Sequence, residues 1–239
     1  MYKRVLLKLS GEALKGNETS QIIDVEHVGR LASVIKELHA SGVQIAIVIG
    51  AGNIWRGKLA EAVGIEPVPA DYMGMLGTII NAVAVSSALR KAGVESVVFS
   101  ALSQVPNTTV PYNKDEAIKC MESGKVAFLA GGTGQPFFTT DTAATLRAIE
   151  TNCEAIFMGK NGVEGLYDDD PFKNPDAKLI KEITYQKIID MNLQIMDISA
   201  VELIKDKDIE IRIFSMSDPH NFMRVANREN IGTICKKGE

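Results

Sequence analysis

The sequence predicts an α/β fold, a three-layer α/β/α sandwich on a mostly parallel central sheet. Three observations predict it. Strand-length apolar runs alternate with segments of helical period along most of the chain. Glycines gather where those runs end. The 239 residues are ordinary globular material, 46% hydrophobic and 23% charged, with no low-complexity tract and no internal repeat.

Tyr2–Leu9 is the first buried-strand candidate. Val28, Leu31, Ala32, Ile35 and Leu38 recur at helical spacing, and Ser41-Gly42 stops that helix. Val43–Ile49, rich in β-branched residues, is the second strand. Tyr72–Lys91 is helical and ends at Gly93, and Val94–Phe99 returns as a strand. Asn113–Glu122 is a helix, Val126–Ala130 a strand, Asp141–Thr151 a helix and Cys153–Met158 a strand. This order places helices on both faces of the sheet. After Met158 the rhythm changes. Gly162–Lys181 is polar and reads as a loop, Thr184–Met191 and Ser199–Lys205 are helical, Glu210–Phe214 is a strand, and Ile231–Cys235 is an antiparallel edge strand. No linker divides the chain, so residues 1–239 read as one domain of two lobes sharing one sheet.

Bulk composition excludes several classes of function. A net charge of −4 gives no field that would draw nucleic acid or an anionic membrane, so neither is expected as a partner. Cys120, Cys153 and Cys235 are far apart and form no C-x-x-C pair, which argues against zinc and a disulfide framework; no metal-ligating set is expected. His27, His39 and His220 are isolated. The Val5–Leu9 stretch is interrupted by Lys8 and too short for a secretion signal, and Val43–Ile49 is strand-length. The expected location is the cytoplasm.

Four strands run into glycine loops: Ser10-Gly11, Gly50-Ala51-Gly52-Asn53, Gly131-Gly132-Thr133-Gly134 and Gly159-Lys160-Asn161-Gly162. Ligands of open α/β sheets bind outside the carboxyl ends of the strands, and glycine lets backbone N–H groups approach phosphate oxygens. Four such loops, two with a lysine beside them, point to a phosphate site. Lys8 interrupts an apolar strand. It is either the water-facing residue of an edge strand or a cation that reaches transferring phosphates. Gly52–Lys58 matches G-x-x-x-x-G-K, but Leu59 stands where a P-loop needs a magnesium-binding hydroxyl, so that motif is rejected. Thr133–Asp141 offers hydroxyls, an amide and two phenylalanines. It reads either as a nucleotide pocket or as a Pro-containing loop with core phenylalanines and Asp141 as helix cap. Arg56 and Asp71 read equally as surface charges or as site residues.

Lys8-Leu9-Ser10-Gly11-Glu12, the Gly50–Arg56 loop, Asp71 with Met73-Gly74-Met75, Thr133–Asp141 and Tyr167–Pro171 together resemble the bacterial-type UMP kinases of the amino acid kinase superfamily. The likeness runs in order from Tyr2 to about Ile234. It implies an eight-stranded sheet, UMP in the N-terminal half and ATP in the C-terminal half, with Mg²⁺ arriving on the ATP. It further implies that Lys8, Leu9, Ser10, Gly11, Gly52, Arg56, Asn161, Tyr167 and Asp170 contact ATP. Ala51 (usually glycine in the family), Asp71, Thr133, Gly134, Gln135, Pro136, Phe137, Phe138, Thr139 and Thr140 would hold UMP. Lys8, Asp141, Lys160 and Asp197 would be catalytic, with no role for Asp197 that the residues themselves explain. Service in pyrimidine nucleotide (CTP) synthesis, feedback inhibition by UTP and a homohexamer, a trimer of dimers, are implied as well. The Met73–Leu89 helix is either the dimer face or simply core. Relatives activated by GTP carry a glycine-rich segment where this chain has Gly16–Gln21, and some carry arginine and histidine where it has Ser86 and Arg90. Little or no GTP activation is therefore expected. The rivals are a kinase of carbamate or amino-acid carboxylates and a non-catalytic nucleotide-binding module.

Overall fold

A computed structural model describes residues 1–16, 21–193 and 195–238. The elements follow the chain as β1 (Arg4–Leu9), a 3₁₀ turn (Gly11–Leu14), α1 (Val25–Ala40), β2 (Gln44–Ile49), α2 (Lys58–Val63), α3 (Pro67–Lys91), β3 (Ser96–Ser100) and β4 (Val110–Pro111). They continue as α4 (Lys114–Glu122), β5 (Val126–Ala130), α5 (Thr140–Glu150), β6 (Ala155–Lys160), β7 (Glu182–Thr184), α6 (Tyr185–Asp190), α7 (Ile198–Ile204), β8 (Glu210–Ser215), α8 (Asn221–Ala226) and β9 (Thr233–Lys236). Among the described residues these strands form one sheet in the order β4-β3-β5-β2-β1-β6-β8-β9-β7. Every pairing is parallel except β8 with β9.

Side-chain alternation explains the layers. In β1, Val5, Leu7 and Leu9 pack in one cluster with residues of α1, α3 and α8, such as Ile35, Val85 and Val225. Leu6 packs in the other, with α4 to α7 residues such as Met121, Ala144, Ile188 and Val201. Successive strand residues face opposite ways, so Lys8 shares the side of Leu6 and leans toward α5. Helix starts are fixed by side-chain caps: Asp24 on α1, Asn113 on α4, Thr139 on α5 and Thr184 on α6 each accept from the first-turn backbone.

Several expectations need correction. α3 begins at Pro67, a full turn before Tyr72; proline is suited to the first helical position because its missing N–H has no partner there anyway. The C-terminal strand is antiparallel to β8 as expected, but it is not an edge, because β7 pairs outside it. The sheet has nine strands among the described residues, not eight. β4 and β7 are two and three residues long, too short to carry periodicity. The six-residue α2 and α8 went unread for the same reason. α3 is long and apolar enough to cross a membrane by length and composition, with mean hydropathy 1.5, yet it lies half buried in the fold. Its Ile79, Val85 and Leu89 belong to the same core as α1 and the sheet.

Candidate active site

β1 lies between β2 and β6, so the edge-strand reading of Lys8 fails. Its ammonium, on a largely buried side chain, stands 2.6 Å from Asp141 Oδ1. Asp141 is in the first turn of α5, and the helix cap is Thr139, not Asp141: Thr139 Oγ1 accepts from the N–H groups of Asp141 and Thr142 at 3.1 and 3.4 Å. The Thr139 hydroxyl in turn donates to Asp197 Oδ2, which gives Asp197 a physical role. It ties the start of α7 to the start of α5 and leaves its own helix without a side-chain cap bond.

Lys160 ends β6, the strand beside β1, and its Nζ lies 3.5 Å from the Ile195 carbonyl. Burial pushes its ammonium below the ordinary lysine range, the charge of Lys8 pushes the same way, and Asp141 opposes both. Lys8, Ser10, Gly159, Lys160 and Asn161 line a cavity of about 270 Å³ with Met158 and Met216. Asp141 and Asp197 line a further space of about 400 Å³. Two cations and one carboxylate therefore meet at the carboxyl ends of two central strands. Such an arrangement can neutralise polyphosphate charge, and a low local dielectric strengthens it.

A second cavity, of about 250 Å³, lies beside this centre and is lined by Ala51, Gly52, Trp55, Asp71, Gly132 and Thr140 among others. Phe138 and Thr139 belong to its wall as well. Ala51 keeps a negative φ, and a Cβ at Gly77 of α3 would come within 2.8 Å of the Ala51 Cβ, so Gly77 makes the room for it. Asp71, inside α3, accepts from the Phe137 N–H at 2.7 Å and so ties the Thr133–Thr140 loop to α3 beside the cavity, whose wall takes Phe138, Thr139 and Thr140 from it. Phe137 and Phe138 are 72% and 54% exposed, which excludes the reading of core phenylalanines. Phe137 holds φ at +70°, a conformation costly for an aromatic residue.

The β1 and β2 loops are braced together. Asn81 of α3 is fully buried and donates to the Gly50 carbonyl at 2.8 Å, while Asn53 donates to Ile22 O at 2.7 Å and pairs with Asn81. Arg56 is exposed but held: it bonds Glu12 at 2.5 Å and the Gly52 carbonyl at 3.3 Å. Leu9 is core, and its carbonyl is used by Gly50 N–H. Ser10 caps the 3₁₀ turn, and Gly11 is buried against Gly50, where a side chain would overlap its carbonyl.

Not every expected residue converges. Thr133, Gly134, Gln135, Pro136 and Phe137 follow the glycine turn but do not line the second cavity, and Tyr167 and Asp170 line none of the three spaces. Tyr167 bridges Leu179 across the loop, and Asp170 is partly exposed with Lys173 at 3.1 Å. Residues 17–20 and Gln194 fall outside the described residues. Ser86 is buried with its Oγ 2.9 Å from that of Ser96. Thr78 and Trp55 were missed as site residues, whereas Met75 and Gly132 line the second cavity from motifs that the sequence already singles out. Trp55, the chain's one tryptophan, lay in a loop already singled out, and its Nε1–H donates to Ala70 O at 2.9 Å.

Residues 3–215 match the family model described as the amino acid kinase family. The uridylate kinase of Mycoplasmopsis pulmonis is 47% identical over 92% of this chain and 91% of its own length. That of Mycoplasma capricolum subsp. capricolum is 47% identical over 98% of each. A crystal structure of UMP kinase from Bacillus anthracis superposes with a TM-score of 0.95, at 36% identity over 100% of this chain and 97% of that one.

Proposed function

The chain belongs to the amino acid kinase family, and from that premise we propose that it is an ATP-dependent UMP kinase whose product, UDP, serves pyrimidine nucleotide (CTP) synthesis. The observation that carries the mechanism is the Lys8–Asp141 pair, set with Lys160 between a phosphate-sized cavity and an acceptor cavity.

UMP occupies the cavity of Ala51, Asp71, Phe138, Thr139 and Thr140, with the Asp71 carboxylate on its ribose hydroxyls and the loop of residues 133–138 closing over it. ATP enters as its magnesium complex, the metal neutralising part of the phosphate charge, and the β- and γ-phosphates lie between Lys8, Lys160 and the Ser10-Gly11 backbone. Gly52 and Arg56 reach the phosphates from the β2 loop, and Asn161, Tyr167 and Asp170 hold the adenosine. A UMP α-phosphate oxygen attacks Pγ in line. The new O–Pγ bond forms as the bond from Pγ to the ADP oxygen breaks, and that oxygen keeps the electron pair. The acceptor is already an anion, so no strong base is needed. Lys8 and Lys160 stabilise charge on the transferring group, Asp141 fixes Lys8, and Asp197 fixes Thr139.

UMP binding is assigned to an N-terminal lobe that extends to the loop before α5, and ATP binding to a C-terminal lobe that Lys8, Ser10, Gly11, Gly52 and Arg56 reach from the N-terminal side; the two lobes are parts of one continuous domain. UTP combines the uridine read by one cavity with the triphosphate read by the other, which supports it as a feedback inhibitor. The exposed Met73, Leu76 and Ile80 form one stripe on α3, which supports a homohexamer built from dimers across that helix. GTP activates little or not at all, since Ser86 offers no charge and is enclosed. The enzyme works in the cytoplasm. The test is ADP release from ATP with UMP, CMP, carbamate, aspartate and acetylglutamate as acceptors. UMP alone supports rapid release; a preference for carbamate or a carboxylate overturns the assignment.

A further inference from the structure

The glycine turn that leads from β5 into the acceptor loop is pinned from beneath by an arginine that no part of the chemistry above uses. Arg147 lies on α5 and is 4% exposed. Its Nη2 donates to the carbonyls of Gly132 and Thr133 at 3.1 and 3.4 Å. Its Nη1 donates to Glu150 Oε2 at 2.6 Å, and its guanidinium carbon stands 3.8 Å over the ring of Tyr112. Tyr112 closes the circuit by donating to the same Glu150 oxygen at 2.6 Å. Burial, and then Glu150, push the Tyr112 hydroxyl upward, so it remains a donor through the whole working range.

Burying a guanidinium is expensive, and a simple strand-to-helix turn does not require one. The turn it holds is unusual. Gly131, Gly132 and Gly134 all have positive φ, at +81°, +62° and +84°. Thr78 of α3 accepts from the Gly131 N–H at 2.9 Å, fixing the start of the turn. With two successive carbonyls drawn down to Arg147, the N–H groups of Gly132 and Thr133 find no acceptor among the described residues. Gly132 lines the acceptor cavity.

We propose that Arg147, stacked on Tyr112 and paired with Glu150, is a positioning residue for the acceptor: by holding the Gly132 and Thr133 carbonyls it fixes the turn so that the Gly132 N–H faces UMP. This rests on the assignment of UMP to that cavity. Carbonyl and amide dipoles of one turn point opposite ways, so fixing one set orients the other. Arg147 touches no nucleotide, and its effect is confined to acceptor affinity.

The experiment compares the full-length wild type with Arg147→Met, Arg147→Lys and Tyr112→Phe, measuring KM for UMP, KM for ATP and kcat. Loss of the charge-assisted bonds raises KM for UMP about ten- to a hundredfold in Arg147→Met, with KM for ATP changed by less than about twofold. Arg147→Lys recovers part of the loss, because a point charge reaches one carbonyl and not two. Tyr112→Phe keeps the stack and removes one donor, so it shows a smaller rise of the same selectivity, and it decides the matter should Arg147→Met fail to fold. Equal rises in both KM values, or none, in folded variants of an enzyme that uses UMP overturn the clamp alone. A wild type that does not use UMP overturns the assignment of the cavity, and the clamp with it.

Discussion

Lys8 Nζ and Asp141 Oδ1 lie 2.6 Å apart, joining the carboxyl end of the central strand β1 to the first turn of α5. Asp141 sits near a helix N-terminus, where the helix dipole favours its negative charge. The carboxylate in turn holds the ammonium at the point where two cavities approach each other. An isolated lysine in a strand is thereby made part of a centre.

Asp71→Asn weakens UMP and spares ATP. The carboxylate bonds the Phe137 N–H and is placed to accept from ribose hydroxyls, and charged acceptors make the stronger bonds. Calorimetry with each nucleotide should show about tenfold or greater loss for UMP and less than about twofold for ATP.

The pH profile reports Lys160. Its ammonium is held below the usual lysine range by burial and by Lys8, so kcat/KM for ATP falls as pH rises through that lowered value. Lys160→Arg keeps its charge at any accessible pH, and its basic limb moves upward. The stability sign follows from proton counting. Between the lowered folded value and the ordinary lysine value of about 10.4 the folded state binds fewer protons, so this group's contribution to stability rises with pH there and is absent below it.

Leu76→Glu breaks the proposed assembly. Met73, Leu76 and Ile80 are 37%, 53% and 51% exposed on one side of α3, and a buried carboxylate in that stripe has no partner there. Light scattering should give a hexamer for the wild type and a smaller species for the variant. A monomeric wild type, or an unchanged mass, removes α3 as the contact.

Much of this was legible in the sequence because it is local. The alternation of strands and helices, the glycine loops and the misfit of Lys8 in an apolar strand all show within a few residues. What stayed hidden joins distant positions. Nothing local says that Asp141 pairs with Lys8, that Asp197 receives the Thr139 hydroxyl, or that Arg147 holds two carbonyls of the β5 turn. Asp141 is the better cap by residue type, and only the backbone path decides for Thr139. The short strands β4 and β7 exist because a neighbour offers free backbone groups, which no pattern within the segment reveals.

The most direct measurement is the initial rate of UDP formation from UMP and Mg·ATP in the wild type and in Lys8→Met. The charge acts on the transition state, so the variant should keep its fold and bind UMP within about twofold of the wild type while turnover falls by about 10²–10³. A folded Lys8→Met enzyme turning over UMP at nearly the wild-type rate would contradict the account.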